Sequence, residues 1–153
     1  MLVYEGADSR SYIRPLLQDE SDPFLGFLVK NDNNQRIYLL ALDACFFRSD
    51  DPKRCDCLIF DNHCISFVEL KINVRRQGTQ KLKDAVGQLD TSILFFKTNV
   101  WPVVQNLADY RLEAYVAMKD TVYPRNSASW GTSVVRFGER HRVELFRANT
   151  KSF

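Results

Sequence analysis

Three ionisable side chains lie inside the apolar run CDCLIFDNHCISFVELK, residues 55–71. Asp56, Glu69 and Lys71 interrupt two segments whose other residues favour buried β-strands. A buried charge needs a partner of opposite charge, hydrogen bonds or a metal ion. Two carboxylates with an ammonium beside them suit a hard divalent cation and a water molecule held for hydrolysis. The stretch therefore indicates a hydrolytic site, and the alternative is an ordinary cross-strand ion pair on a solvated face.

The length of the turn between the two strands decides whether these side chains share a face. If Asn62 and His63 form a two-residue loop, the paired residue numbers add to 125 and Asp56 lies opposite Glu69. Opposed side chains on antiparallel strands have Cβ atoms about 5 Å apart, and period-two alternation keeps Lys71 on the same face. A four-residue loop preserves this pairing, whereas a three-residue loop turns Glu69 to the other face.

The surrounding pattern predicts an α/β domain built around a mixed β-sheet. Strands are predicted at about 37–47, 55–60, 64–72 and 111–119. A helix is predicted at about 79–96, where the apolar residues recur at helical spacing: Leu82, Ala85, Val86, Leu89, Ile93 and Phe96. On that helix Gln88 lies at the flank of the apolar stripe, and the alternative is an exposed polar residue without a function.

Both ends of the chain carry weaker signals. Residues 10–18 predict a short helix interrupted at Pro15. The segments TSVVRF and RVELFR, on either side of GERH, predict a C-terminal β-hairpin. All 153 residues are expected to form one domain, because this length suffices to bury a substantial core.

The pattern of Asp56, a spacer of twelve residues and then Glu69-Leu70-Lys71 resembles the core of the PD-(D/E)xK nuclease superfamily. The resemblance extends over about residues 37–119 and includes the order of strands. It implies a restriction-endonuclease-like three-layer core, in which a mixed β-sheet is flanked by helices. It also implies that Asp56 and Glu69 bind Mg²⁺ or Mn²⁺ and that Lys71 activates or positions the attacking water. Gln88 would support the site, and the reaction would be phosphodiester hydrolysis in DNA or RNA.

The chain departs from that family's pattern in two places. Cys55 stands where many members have proline, and the acidic residue that many members carry on a first helix is matched only by Glu5 or Glu20. The missing acid favours an alternative, a catalytically degenerate nuclease-like fold that acts as a nucleic-acid- or protein-binding module. A metal-free immunity or regulatory protein that binds another protein through its sheet is a further alternative.

Basic residues follow the E-x-K triplet closely: Arg75, Arg76, Lys81 and Lys83. Beside a metal site they would bind a phosphate backbone through sequence-independent attraction, whereas isolated charges of this kind are usually solvated. The net charge of +2 is too small to select a partner by itself. A chain of this length has little room for a separate recognition domain, so a partner protein, a homodimer, or a non-specific or structure-selective role is expected.

Four cysteines fall within twenty residues, at positions 45, 55, 57 and 64. Alternation places Cys55 and Cys57 on the face opposite Asp56, and His63 lies at the distant turn, so a zinc site is disfavoured. Buried thiols that pack as small apolar groups are expected instead. The N-terminus shows no signal-peptide pattern, and the most apolar stretch is too short to span a bilayer. A cytoplasmic protein with reduced thiols is therefore expected.

Overall fold

The computed structural model describes residues 2–5, 11–14, 26–42, 51–71, 78–103, 109–118 and 128–153. Its strands are β1 (Leu2–Glu5), β2 (Ser11–Arg14), β3 (Phe27–Lys30), β4 (Tyr38–Ala41), β5 (Cys57–Phe60), β6 (Cys64–Lys71), β7 (Arg111–Met118), β8 (Glu144–Phe146) and β9 (Thr150–Ser152). Its helices are α1 (Gly78–Phe95), followed by a π-helical turn (Phe96–Val100) and a 3-10 turn (Trp101–Val103), and α2 (Ala128–His141). Within these ranges, no helix combines the length and the apolar character needed to cross a membrane.

The β5–β6 hairpin has the predicted register. Strand pairing sets Cys57 opposite Val68 and the other pairs follow in step, so the paired residue numbers add to 125. The turn is held by the Asp61 carboxylate, whose Oδ1 accepts hydrogen bonds from the backbone N–H of His63 at 2.8 Å and of Cys64 at 2.7 Å. An aspartate that bonds the backbone two residues ahead stabilises a tight turn. The even turn length that the site requires is confirmed.

The larger sheet is five-stranded, in the order β4-β5-β6-β7-β8. Strands β4, β5 and β6 form an antiparallel meander, while β6 pairs parallel with β7 and β7 pairs parallel with β8. Parallel neighbours need a crossover connection, usually a helix. Helix α1 lies between β6 and β7 in the chain, and α2 lies between β7 and β8. The mixed α/β class predicted from the sequence is confirmed.

Helix α1 packs on one face of this sheet. The predicted apolar stripe is buried at Leu82, Ala85, Leu89, Ile93 and Phe96, and Val86 is partly buried against the same cluster. The strand side of this core includes Ile65 and Phe67, which lie on the same face of β6 as Glu69 and Lys71. The rings of Phe67 and Phe96 meet edge to face with their centroids 5.5 Å apart.

The opposite face of the sheet is covered by a second sheet rather than by helices. This four-stranded sheet has the order β2-β1-β3-β9. Phe27 and Val29 of β3 pack with Ile59 and Val68 in a separate apolar cluster. The resemblance implied a three-layer core with helices flanking the sheet; among the described residues α1 and α2 both pack on the first face, and the three-layer arrangement itself is not shown. The alternation of β3 explains how a second sheet can cover the opposite face. Its apolar residues Phe27 and Val29 point to one side, and that side packs on the five-stranded sheet.

The predicted C-terminal hairpin is wrong. Its first half, TSVVRF, lies inside α2, where Trp130, Val134, Phe137 and His141 form a stripe at helical spacing against the α1-side core. Val135, which strict alternation would bury, is 58% exposed. The second half contributes β8, which pairs parallel with β7 instead of folding back on its predecessor. Four apolar or aromatic side chains at a spacing near 3.6 residues stabilise the helix more than the β-branched residues of TSVVRF favour a strand.

The N-terminal prediction also needs correction. Residues 11–14 form β2, which pairs antiparallel with β1, whereas a helix was predicted at 10–18. Pro15 disfavours the helical conformation in the residue before it, which accounts for the extended backbone of Arg14. The rest of that predicted helix, from residue 15, lies outside the described residues. The predicted strand at 37–47 is shorter, ending at Ala41, and its part beyond residue 42 lies outside the described ranges.

The helical assignment of residues 128–141 predicts the effect of Gly138→Ala. A Cβ at Gly138 would meet no heavy atom within 4 Å, and alanine is favoured over glycine inside a helix by about 1 kcal/mol. We expect the variant to raise the free energy of unfolding in urea by about 0.5–1 kcal/mol. Gly131→Ala, in the same helix and equally unobstructed, is the matched variant and should also stabilise. A loss of stability in both variants would favour a turn at GERH.

Candidate active site

The sequence-predicted residues Asp56, Glu69, Lys71 and Gln88 converge at the end of the hairpin that is remote from its turn. Glu69 and Lys71 lie on the face of β6 that α1 covers. Lys71 Nζ donates hydrogen bonds to the Glu69 carboxylate and, at 3.0 Å, to Gln88 Oε1. Gln88 Nε2 in turn donates to the Arg54 carbonyl at 3.1 Å. A chain of polar contacts thus joins the strand, the helix and the loop before β5.

Asp56 stands immediately before β5 rather than inside a strand. Its Oδ2 accepts a hydrogen bond from the Leu70 backbone N–H at 2.5 Å, and its carbonyl accepts one from Leu42 at 2.8 Å. The Asp56 backbone also donates a hydrogen bond to the Glu69 carboxylate. The two acidic residues are therefore neighbours across the register, as predicted, although the strand that was predicted from residue 55 begins at Cys57.

Cys55 leaves the strand because helix α1 offers its backbone another partner. Its N–H donates to Ser92 Oγ at 2.7 Å, and that hydroxyl donates to the Gln88 carbonyl at 2.8 Å. Next to it, Arg54 places its guanidinium 4.8 Å from the centre of the Phe95 ring. The loop that carries Asp56 is thus attached to the same helix turn that carries Gln88, which fixes both groups relative to each other.

Glu69 is the most unusual group of the site. Its side chain is fully buried and its Oε1 is paired with Lys71, whereas its Oε2 has no hydrogen-bond partner among the residues that the structure describes. Burial raises the pKa of Glu69 well above its ordinary value, and the nearby Asp56 carboxylate raises it further. Lys71 and the hydrogen bond from the Asp56 backbone act in the opposite direction but do not compensate. An additional positive charge beside Glu69 would therefore be strongly favoured.

A second buried glutamate in the same sheet, Glu113, has enough hydrogen-bond donors and cations around it to offset the cost of burying its charge. Glu113 of β7 accepts hydrogen bonds from Tyr115 at 2.8 Å and from Lys151, and its other oxygen contacts Arg111 at 2.8 Å. Burial alone raises the pKa of Glu113, but the Lys151 and Tyr115 hydrogen bonds and the two cations lower it below its ordinary value. Glu113 faces the second sheet, so this cluster is separate from Glu69 and has the character of a structural ion pair.

The site opens to a surface cavity of about 500 Å³. The cavity is lined by Lys53, Lys71, Lys81, Asp84, Gly87, Gln88 and Thr91. Lys71 and Gln88 therefore have one side towards the buried carboxylates and the other towards solvent. A ligand that entered the cavity would meet the amino group of Lys71 before it reached Glu69.

The donor set fits a hard divalent cation. Asp56 and Glu69 supply carboxylate oxygens, and one Glu69 oxygen has no hydrogen-bond partner. Mg²⁺ is commonly held by one or two carboxylates together with water and substrate phosphates. In the part of the chain that the structure describes, no group of three or more His, Cys, Asp or Glu side chains is placed to hold a metal ion. The protein would thus supply only part of the coordination shell.

The cysteines do not form a comparable site in the described ranges. Cys55 belongs to the α1-side core and Cys57 to the core against the second sheet, so the expectation that both lie opposite Asp56 holds for Cys57 alone. His63 is exposed at the turn. Burial raises the pKa of the Cys55 thiol, which disfavours a reactive thiolate. Cys55 and Cys57 pack in the apolar clusters, as predicted, whereas the Cys64 sulfur accepts a hydrogen bond from Lys151 at 3.4 Å.

The predicted backbone-binding residues have different outcomes. Lys81 lines the cavity, whereas Lys83 is exposed and does not. Arg75 and Arg76 lie outside the described residues, as does Glu20, one of the two candidates for a first-helix acid. Glu5, the other candidate, belongs to β1 rather than to a helix.

Sequence reasoning missed three residues that build the site. Arg54 supplies the carbonyl that orients Gln88, Ser92 holds the backbone of Cys55, and Lys53 lines the cavity. Ser92 could have been noticed, because it is a polar residue on the buried stripe one turn after Gln88. Lys53 and Arg54 had only a weak signal, the placement of two basic residues just before an acidic motif.

Comparisons with protein-family models, with curated proteins and with solved structures found no match for this chain. The residues and their geometry are therefore the basis for any functional assignment.

The raised pKa of Glu69 predicts a pH-dependent loss of stability in the metal-free protein. The folded state binds the Glu69 proton more tightly than the unfolded state, so the contribution of Glu69 to the unfolding free energy of the wild type should fall as pH rises above the ordinary pKa of 4.5. Glu69→Gln removes this titration, and its stability relative to the wild type should increase with pH. Urea unfolding in chelator from about pH 4 to about pH 8 measures the difference.

Glu139→Gln, at an exposed position of α2, is the control for this series and should show a constant difference from the wild type. If Glu69→Gln also differed from the wild type by a constant amount at every pH, Glu69 would not be the uncompensated carboxyl described above.

The Ser92 hydroxyl predicts a second effect on stability. Ser92→Ala removes the acceptor of the buried Cys55 N–H, and an orphaned buried donor costs about 1–3 kcal/mol. Thr91→Ala is the matched control, because the Thr91 hydroxyl only bonds the Gly87 carbonyl within the helix. We expect Thr91→Ala to be neutral or slightly stabilising in urea unfolding. Equal effects of the two variants would contradict the role assigned to Ser92.

Proposed function

We propose that the protein is a metal-dependent nuclease of the PD-(D/E)xK type that hydrolyses phosphodiester bonds in DNA or RNA. One observation carries the proposal: among the described residues, buried Glu69 has one oxygen without a hydrogen-bond partner and lies beside Asp56 and Lys71, and Lys71 itself lines a cavity with two further lysines. This combination provides an acidic position for a cation and a basic surface for a polyanion.

The residues have separate roles in this proposal. Asp56 and Glu69 would hold Mg²⁺ or Mn²⁺, which supplies positive charge to the phosphate and acidity to water. Lys71, fixed by its hydrogen bonds to Glu69 and Gln88, directs its amino group to the attacking water or to a phosphate oxygen. Gln88 keeps that amino group in place through its contact with the Arg54 carbonyl. Fixed positive groups lower the cost of the charge that develops on phosphorus.

The topology supports the same proposal. An antiparallel hairpin carries the two acidic positions, a helix follows with the supporting glutamine, and the next strand returns parallel to the hairpin. This is the order of elements that the resemblance to the restriction-endonuclease-like core leads one to expect. The second sheet packs on the face of the five-stranded sheet opposite α1.

The proposal predicts cleavage that depends on a divalent cation and on Lys71. Purified protein should cut single-stranded or plasmid DNA, or RNA, in Mg²⁺ or Mn²⁺ and not in chelator. Lys71→Ala should lower the cleavage rate by about 10²–10⁴-fold, the range for loss of a group that acts in proton transfer or charge stabilisation. Asp56→Asn and Glu69→Gln should lower both cleavage and Mn²⁺ affinity in calorimetry, whereas Lys71→Ala should retain Mn²⁺ binding.

Lys30→Ala, the same charge change on the second sheet, is the control and should cut at the wild-type rate. Circular dichroism and urea unfolding establish that each variant is folded. A wild type that binds nucleic acid but cuts none of these substrates with either metal would refute the enzyme and favour the non-catalytic binding module. Analytical ultracentrifugation of the same preparations tests the proposed homodimer.

A further inference from the structure

A second cavity, of about 1050 Å³, lies at the end of the five-stranded sheet that is remote from Lys71. In the parallel pairing of β6 with β7, Arg111 lies beside Cys64, and Lys71 lies beside Met118. Seven residues of strand, about 23 Å, therefore separate the level of Arg111, which lines this cavity, from the level of Lys71, which lines the other. The two cavities are distinct sites.

The lining of this second cavity combines charged, aromatic and apolar side chains. Its charged residues, among those that the structure describes, are Lys97, Arg111, Arg142 and Glu144. The aromatic residues Trp101 and Tyr110 also line it, and both are partly buried against the α1-side core. Apolar and aromatic walls with a few convergent charges are typical of a small-molecule site.

Lys97 and Arg142 stand close together at the C-terminal end of α2. Lys97 Nζ donates a hydrogen bond to the His141 carbonyl at 2.5 Å, and Arg142 is the next residue. Partial burial lowers the pKa of Lys97, and the charge of Arg142 lowers it further. In the part of the chain that the structure describes, no ion pair neutralises either side chain. The helix end carries about half a negative charge, which is less than the two positive charges, so an anion beside them would be favoured.

The backbone of Arg142 has a conformation that glycine adopts more easily. Its φ is 52°, in the left-handed region, and its N–H donates a hydrogen bond to the Gly138 carbonyl at 2.8 Å, which closes the end of α2. Glycine is the usual residue at such a helix end, because it has no Cβ. The Arg142 side chain is exposed, so burial in the core does not account for it. A guanidinium at this position suits a phosphate, whose oxygens match its fork of N–H donors.

We propose that this second cavity binds an aromatic phosphate monoester, of which a nucleoside 5′-monophosphate is the representative, with its phosphate at Lys97 and Arg142. A phosphate monoester carries a charge of about −1.5 to −2 at pH 7, which suits two cations better than the single charge of a carboxylate. The ring packs against Trp101 and Tyr110, because bases stack on aromatic side chains. The inference goes beyond the proposed nuclease activity and does not depend on it.

Titration calorimetry of the wild-type chain in chelator tests the proposal, with AMP and UMP as the purine and pyrimidine probes. The chelator prevents metal-dependent binding at the candidate active site. At least one nucleotide should bind about 10-fold more tightly than both its nucleoside and inorganic phosphate, because each of these lacks one of the two sets of contacts.

Arg142→Gly separates binding from folding. Glycine relieves the left-handed backbone, so the free energy of unfolding in urea should be maintained. Nucleotide affinity should fall about 10–100-fold, because hydrogen bonds to a charged phosphate are lost. Arg142→Asn, which also tolerates a left-handed backbone, should give the same two results. Arg136→Ala removes an exposed charge from α2 that does not line the cavity, and this control should bind the nucleotide as tightly as the wild type.

Three results would overturn the inference. The first is the absence of binding by both nucleotides at millimolar concentrations. The second is binding of inorganic phosphate as tight as that of the nucleotides, since the aromatic walls would then have no part in recognition. The third is unchanged nucleotide affinity in folded Arg142→Gly and Arg142→Asn, which would place the ligand outside this cavity.

Discussion

A carboxylate buried in an apolar sheet is costly unless each of its oxygens has a partner, and Glu69 has a partner for one of them. The other groups of the site reduce the free-energy cost of burying the Glu69 carboxylate but do not remove it. Lys71 and the Asp56 backbone partly offset its burial, while the Asp56 carboxylate opposes its ionisation. A fully compensated site would have no affinity for a further cation. The incomplete compensation is the physical basis of the proposed metal site.

The sheet places its two buried glutamates, Glu113 and Glu69, at different ends and on different faces. Near the β5–β6 turn, Glu113 is enclosed by cations and a tyrosine hydroxyl, and it links the two sheets through Lys151. At the opposite end, Glu69 is bonded to Lys71, which contacts Gln88 of α1 and lines a cavity that opens to solvent. The same residue type is thus fully compensated in one environment and incompletely compensated in the other. The difference lies in the number of partners, since both side chains are buried.

The local rules of β-structure made the hairpin predictable. The Asp61 turn has two loop residues, alternation then fixes the faces of Ile65, Phe67 and Glu69, and the helical stripe of α1 supplies the cover. The position of Asp56 was predictable in register but not in detail. Its strand starts later because the Cys55 N–H finds the Ser92 hydroxyl on a helix 37 residues away in the chain. The backbone N–H of Cys55 could bond either a neighbouring strand or the Ser92 side chain, and a local sequence pattern cannot predict which partner it takes.

The C-terminal region shows the opposite limit. TSVVRF contains β-branched residues that favour a strand locally, yet Trp130, Phe137 and His141 commit the segment to a helix that packs beside α1. His141 contacts Asp90 of α1 at 2.6 Å. The two residues are 51 positions apart, so a local sequence pattern cannot predict this contact. The second sheet was missed for a similar reason, because its strands are only three or four residues long and β3 pairs with β9 at the other end of the chain. Short elements obtain their stability from such tertiary contacts.

A crystal soaked in Mn²⁺ and measured for anomalous scattering tests the central claim most directly. The account predicts a peak within about 2.0–2.6 Å of carboxylate oxygens from both Asp56 and Glu69, the range for hard cations bound to oxygen. It also predicts that Glu69→Gln crystals, soaked in the same way, lack this peak. Wild-type crystals without a peak between the two carboxylates at saturating Mn²⁺, with Lys71 still paired to Glu69, would contradict the account.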